Sequence, residues 1–167
     1  MNSDLSDRLD GALSSGDLLQ SSLENIGELL DGSENPLYET VVSELAESGN
    51  WKELNNRFFK KLAFGTGGMR GRSIGETVTA AERGSAGEGE RPEHPCVGTS
   101  SLNFYNLTKA TLGLVRFLQR SHSGEGRPSI ALARDTRYFG AEFADRVMIG
   151  HTSAPSFTSN RRSSTAL

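Results

Sequence analysis

Apolar side chains return along this chain with helical spacing in some stretches and with no spacing at all in others. Leu19, Leu23, Ile26 and Leu30 step by four, three and four, which lines them up on one helical face. Asp31-Gly32-Ser33 ends that segment. Asn35-Pro36 opens a second helix, with Asn as cap and Pro in the first turn. Leu37, Val41 and Leu45 form its stripe, and Gly49 is placed to stop it. Asn50 caps a third helix, and Glu53 stands where a capping-box acid belongs. Trp51, Leu54, Phe58 and Leu62 face one way on it, so Lys52, Arg57, Lys60 and Lys61 are expected in water. Residues 1–16 have few apolar positions and read as a loose start. The pattern predicts a helical lead-in over residues 1–62.

The spacing breaks at residues 64–71, Phe-Gly-Thr-Gly-Gly-Met-Arg-Gly. Four glycines in eight residues exclude a helix interior. Residues 73–97 are polar, rich in Gly and Glu, and hold Pro92 and Pro95. They read as an exposed loop or insertion. Leu102, Tyr105, Thr108, Leu112, Val115 and Gln119 then share one stripe, with Leu114 and Leu118 beside it, which predicts a long, mostly buried helix. Residues 128–133, centred on Ile130 and Leu132, are short, apolar and bounded by turn signals, as a buried strand would be. Helical spacing returns over 141–149, with Phe143 and Val147 four apart. A helix, a strand and a helix in this order predict an α/β unit over residues 63–150. Residues 151–167 hold five serines, three threonines and two arginines with no amphipathic period, which predicts a disordered tail.

Composition narrows the picture. A chain of 167 residues fits one domain with extra segments. Only 35 % of it is hydrophobic, against 19 glycines, so part of it should lie outside a packed core. The net charge of -3, with no long basic stretch, argues against a nucleic-acid partner. The single cysteine, Cys96, rules out an intrachain disulfide and fits a reducing compartment. Residues 1–10 are acidic and polar, without the features of a signal peptide, and no long apolar run follows. A cytoplasmic protein with no membrane partner is expected.

Candidate chemistry centres on the glycine-rich loop. Gly65, Gly67 and Gly68 allow tight or left-handed turns whose amides can converge on an anion. Thr66 adds a hydroxyl, and Arg70 a permanent charge whose planar fork fits phosphate or carboxylate. No Lys-Ser/Thr pair follows, so this is not a Walker A loop. The same residues equally describe an ordinary turn with a surface arginine. Asp135 and Arg137 follow the predicted strand, where side chains often face a ligand crevice; a helix cap and a structural ion pair account for them better. His94, His122, His151 and Cys96 stand in polar surroundings without partners at metal-ligand spacing. Trp51 and Phe58 read as core.

The octapeptide at 64–71 resembles the Phe-Gly-Thr-small-Gly-apolar-Arg-Gly signature that opens the first domain of the α-D-phosphohexomutases, the phosphoglucomutase and phosphomannomutase family. Trp51, Leu54, Arg57 and Phe58 before it resemble the longer phosphoglucomutase/phosphopentomutase branch. Residues 103–118 resemble the helix after the loop, and Ile-Ala-Leu-Ala-Arg-Asp-Thr-Arg at 130–137 resembles the strand ending in Asp-x-Arg, with Glu142, Phe143 and Ala144 following. The resemblance spans about residues 35–148. It implies a partial first domain, a mixed sheet flanked by helices, behind the helical lead-in. It also implies an intramolecular phosphotransferase that interconverts hexose 1- and 6-phosphates through an enzyme phosphoserine and a hexose bisphosphate, with Mg²⁺ offsetting charge on the transferring group. By motif position, Arg70 would be catalytic and hold the transferring phosphate. Gly65, Thr66, Gly67 and Gly68 would shape that wall, and Asp135 and Arg137 would support it.

Several family features have no counterpart here. The Thr-Ala-Ser-His-Asn-Pro serine loop is absent, and His-Thr-Ser-Ala-Pro at 151–155 does not replace it. The Asp-rich metal loop, the sugar-recognition loop and the carboxyl-terminal phosphate loop are missing too. Gly67 stands where Ala or Ser is usual. The expectation is a truncated amino-terminal fragment, inactive alone. The alternatives are a non-catalytic sugar-phosphate or anion-binding module, or a gene remnant. Residues from about 148 onward read as sequence out of register, as after a frameshift. Reading the downstream DNA in all three frames should reveal mutase sequence in another frame; finding none there refutes the frameshift.

Overall fold

The computed structural model describes residues 2–66, 68–123 and 130–152, with 149–152 described by backbone alone. Helices dominate, joined by one two-stranded antiparallel hairpin. The chain divides into two compact units, 1–106 and 107–167. The division falls inside a helix rather than at the change in composition near residue 62.

The first unit is built on four helices: α1 (Ser3–Ser15), α2 (Gln20–Asp31), α3 (Pro36–Glu47) and α4 (Trp51–Phe58). Contrary to expectation, the start is not loose. Asn2 caps α1 by accepting from the Leu5 amide at 2.8 Å, and Leu5, Leu9 and Ala12 are buried at spacings of four and three. Three apolar positions sufficed because both α2 and α3 pack on them. Leu18, Ile26, Leu29, Val41, Val42, Leu45, Leu54 and Phe58 complete the core. Leu19 is half exposed and precedes α2, while Leu18 takes the buried place. The Asn35 and Asn50 side chains cap α3 and α4 as their positions predict. Gly49 follows α3 with φ 66°, the left-handed region that favours glycine.

Two expectations fail together around α4. Arg57 is not in water: it is 2 % exposed. Nor is the 73–97 segment an exposed insertion. It carries a short helix, α5 (Ala80–Arg83), opened by a capping box between Thr79 and Glu82, and it buries Glu82, Pro92, Cys96 and Val97. The reason is electrostatic. The Arg57 guanidinium makes five hydrogen bonds: Nε to Glu53 at 2.8 Å, Nη1 to Glu82 at 2.6 Å and to the Val97 carbonyl at 3.3 Å, and Nη2 to the Thr77 carbonyl at 2.5 Å and Glu82 at 3.2 Å. Glu53 is therefore an ion-pair partner, not the reciprocal half of a capping box. Glu44 of α3 accepts from the Ala80 and Ala81 amides at 2.6 and 3.0 Å, which seats α5 on α3.

β1 (Phe64–Gly65) and β2 (Gly68–Met69) pair Phe64 with Met69 and Gly65 with Gly68. Beyond them, α6 (Phe104–Ser121) leads into the second unit, which also holds α7 (Gly140–Thr152). Residues 130–133, the described part of the buried strand expected over 128–133, form no strand, and Leu132 is 46 % exposed; residues 128 and 129 lie outside the described residues. Among the described residues this short apolar run has no neighbouring strand to complete a ladder. On α6 only Thr111 and Val115 are buried among the described residues, while Leu114 and Phe117 are exposed; the helix is amphipathic but not mostly buried. Phe139, with φ 64°, is buried against Phe143, their ring centroids 5.8 Å apart. His151 and Thr152 belong to the last turn of α7, and the rest of the expected disordered tail lies outside the described residues.

Removing Arg57 while leaving its acids should be severe. Arg57→Met is expected to destabilise the chain by about 3–5 kcal/mol, because two buried carboxylates lose their counter-charge. Adding Glu53→Gln and Glu82→Gln should recover part of that loss. Thermal melts followed by circular dichroism check this, and a single variant melting within a degree or two of wild type refutes it.

A basic depression beside the glycine-rich hairpin

Within 64–71 the two strands β1 and β2 pair as a hairpin. Gly68 turns the chain with φ 90°, and Phe64, Gly65 and Thr66 are exposed. Gly67 lies outside the described residues. Past β2 the chain enters close packing: a Cβ on Gly71 would stand 2.8 Å from the Leu102 amide and 2.9 Å from the Ser100 carbonyl. Only glycine admits that approach.

An open depression of about 260 Å³ lies next to this crossing, within the first unit. One wall is the end of α4, with Asn56, Arg57, Phe59 and Lys60. A second is the hairpin exit, Arg70, Gly71 and Arg72. The third comes from Cys96, Ser100 and Ser101, and the buried Glu53 also lines the space. Backbone bonds lock these walls together. Leu102 donates to the Arg72 carbonyl and Cys96 to that of Ser73, each at 2.9 Å. Asn103 and Asn106 fix the third wall, their side-chain amides donating to the carbonyls of Cys96, Gly98, Thr99 and Ser101.

The carbonyls at the end of α4 would normally give this wall a partial negative charge. They are occupied instead. Ser100 donates through its amide to the Arg57 carbonyl at 2.9 Å and through its hydroxyl to the Asn56 carbonyl at 2.8 Å; just past the helix, the Thr99 hydroxyl donates to the Lys60 carbonyl at 2.8 Å. Gly98 makes this approach feasible, since a Cβ there would lie 2.7 Å from the Arg57 carbonyl.

The charges sort into a floor and a rim. Burial alone would lower the pKa of Arg57, but Cys96, Glu82 and the hydrogen bonds to Glu82 and Glu53 raise it further, so the guanidinium stays charged. Arg57 is engaged by the two acids and by the Thr77 and Val97 carbonyls. At the rim Lys60, Arg70 and Arg72 are exposed. Arg70 has no ion-pair or hydrogen-bond partner among the described residues. Lys60 lies 4.9 Å over the ring of Phe59, and Arg72 stands 3.7 Å from Glu76 with both side chains more than half exposed, a weak pair.

Of the residues singled out in the sequence, Arg70 reaches the depression. Gly65, Thr66 and Gly68 belong to the hairpin and are not among its lining. Asp135 and Arg137 belong to the second unit and pair with each other, Arg137 Nε donating to Asp135 at 2.9 Å. Asp135 Oδ1 also accepts from the Arg137 amide at 3.1 Å, which closes a local turn rather than capping α7. That pairing holds the Asp135 carboxyl below its usual range. Lys60, Arg72 and Ser100 were missed. The alternation of Arg70 and Arg72 was the available signal, since residues two apart in extended chain share a side. Among the described residues no three His, Cys, Asp or Glu side chains converge as a metal site requires, so the residues present do not fit the implied Mg²⁺. No helix of the described residues is long and apolar enough to cross a membrane. No protein-family model matches the chain, no curated protein matches it, and no solved structure is similar to it.

Cys96 is buried rather than solvated, with its Sγ 3.3 Å from Ser101 Oγ. Burial pushes its thiol up from an ordinary 9.0 to about 11, against the opposing pull of Arg57. Folded Cys96 thus stays neutral where an unfolded one ionises. Its contribution to stability is complete below pH 9 and is lost as pH rises toward 11, by about 2–3 kcal/mol. Urea midpoints at pH 8 and pH 10.5 should fall further for wild type than for Cys96→Ala. Parallel losses in the two proteins contradict this.

Proposed function

We propose that this chain is an amino-terminal piece of a phosphohexomutase-type phosphotransferase, with its phosphate-holding wall at Arg70. The supporting observation is that Arg70, in the motif-matching octapeptide, lines the depression with its charge unspent while Lys60 and Arg72 stand beside it. In this reading residues 1–62 are the lead-in and 63–150 part of the first mutase domain. The β1–β2 hairpin is the portion of its sheet formed among the described residues. Arg70 would hold an equatorial phosphoryl oxygen by a charge-assisted bond, as transfer through a charge-dispersed group requires. The substrates would be a hexose phosphate and its bisphosphate, met in the cytoplasm.

A second reading has its own support. Three exposed cations line the depression beside the buried Arg57, but the serine loop is absent from the sequence and no metal cluster forms among the described residues. A sugar-phosphate or anion-binding module needs only the cations. In both readings the chain alone does not turn over substrate.

Incubation with glucose 1-phosphate, a bisphosphate primer and Mg²⁺ should give no glucose 6-phosphate, and clear turnover overturns that expectation. Calorimetric titration with glucose 1-phosphate should show binding that Arg70→Ala weakens about tenfold. Unchanged binding by the variant removes the basis for the phosphate wall.

A further inference from the structure

We propose that the first unit pairs with a second copy of itself across a two-fold axis, the acidic face of α2 in each copy lying against the cations that follow α4 in the other. This goes beyond the phosphate reading and does not need it.

Charge is divided unevenly along the chain. Residues 1–50 hold eleven acids and one basic residue, Arg8, which pairs with Asp4. Residues 54–75 hold five cations and no acid, and of the five only Arg57 is buried. On α2 the acids share a stripe. Glu24, Glu28 and Asp31 follow Gln20 at spacings of four, four and three, and all four side chains are exposed. The Glu24 carboxylate takes only the Gln20 side-chain amide, at 2.9 Å, and the Asp31 carboxylate takes no partner among the described residues. Gly27 lies on the same stripe, and nothing of its own chain stands within 4 Å of where a Cβ would be. Glycine weakens a helix interior, and here it leaves room for another chain to approach α2 closely. Across from these acids, Lys60 and Arg70 have no carboxylate partner among the described residues.

The two faces adjoin. Lys61 pairs with Glu28, and the Asn25 side chain donates to the Phe58 carbonyl at 2.7 Å. The Asn55 side chain accepts from the Leu19 amide at 2.9 Å and donates to the Asp17 carbonyl at 2.8 Å. Leu19, 48 % exposed, and Phe59, one turn beyond Asn55 and 43 % exposed, therefore stand at the seam between α2 and the end of α4. Phe59 and Lys60 also border the depression with Arg70. The order across this surface is cation, apolar seam, acid. A two-fold axis through the seam sets each cationic half on an acidic half and covers the apolar side chains at the centre. An anionic membrane would meet the same cations but would be repelled by the α2 acids beside them, whereas a second copy engages both. Exposed ion pairs contribute little singly and are screened by salt, so the dimer is weak and salt-dependent.

The test is analytical ultracentrifugation of the whole chain over rising concentration, at about 50 and 500 mM salt. Expected are monomer and dimer alone, with association at least about tenfold weaker at the higher salt. Lys60→Glu with Arg70→Glu, and separately Glu24→Lys with Asp31→Lys, should each stay monomeric. All four side chains are exposed, so both double variants should melt with wild type. Mixing the two variants should restore the dimer, because each reversed face then meets an intact face of opposite sign. A mixture that stays monomeric, or a double variant that dimerises as wild type does, overturns the pairing. Species that grow past the dimer overturn the two-fold closure. A folded wild type that is monomeric throughout, or a dimer that salt leaves unchanged, overturns the proposal. So does a monomer that instead sediments with phosphatidylserine vesicles, which assigns the cations to a membrane. The calorimetric test of Arg70→Ala with glucose 1-phosphate stands apart from all of these outcomes, so the two readings fail separately.

Discussion

One buried guanidinium governs the first unit. Arg57 leaves α4 and meets Glu53 one turn back, Glu82 on α5, and the carbonyls of Thr77 and Val97. Four separate stretches of chain are thereby fixed to one planar group. A buried ion pair rarely adds net stability over an apolar replacement of equal shape, because desolvating the charges costs about what their attraction returns. What it supplies here is register. Each bond is directional, and the four that reach Thr77, Glu82 and Val97 leave the 73–97 segment one way to lie on α4. Gly75 marks how close the approach is, since a Cβ there would stand 2.8 Å from Glu53 Oε1.

The depression is a consequence of that register. Glu82 also accepts from the Val97 amide at 2.8 Å, which sets the start of the 97–101 stretch. Those residues then cover the end of α4, and the hairpin exit crosses over them through the bonds of Arg72 and Ser73. Three walls are held by backbone and buried polar groups, and the exposed cations ride on their edges. A rigid base with mobile-length charged side chains at its lip suits recognition of a solvated anion: the geometry of the floor is prepaid in folding, and the long side chains adjust.

The sequence made the helices legible where a stripe and a cap coincide. Asn35-Pro36 and Asn50 mark the starts of α3 and α4 because a side-chain cap is a local interaction. Arg57 was misplaced for the opposite reason. Its spacing from Glu53 is that of a surface ion pair, and nothing local tells that Glu82, twenty-five residues on, removes both from water. The same absent partner made 73–97 look like an insertion. The 128–133 run misled because an apolar stretch bounded by turns becomes a strand only beside another strand. Of the candidate site, Arg70 was legible from its motif, whereas Lys60 and Arg72 depend on how the hairpin crosses α4.

The octapeptide itself can now be divided between folding and chemistry. Gly68 serves the left-handed turn, and Gly71 the contact with the Leu102 amide and Ser100 carbonyl. These glycines have structural reasons that would hold in a protein binding nothing. Arg70 is exposed and takes no hydrogen-bond or ion-pair partner among the described residues. A cation set beside a depression whose neighbours share its sign meets repulsion that a bound anion would relieve. The case for a phosphate ligand therefore rests on the arginine and its cationic company, and the glycines around it explain only how the chain reaches that place.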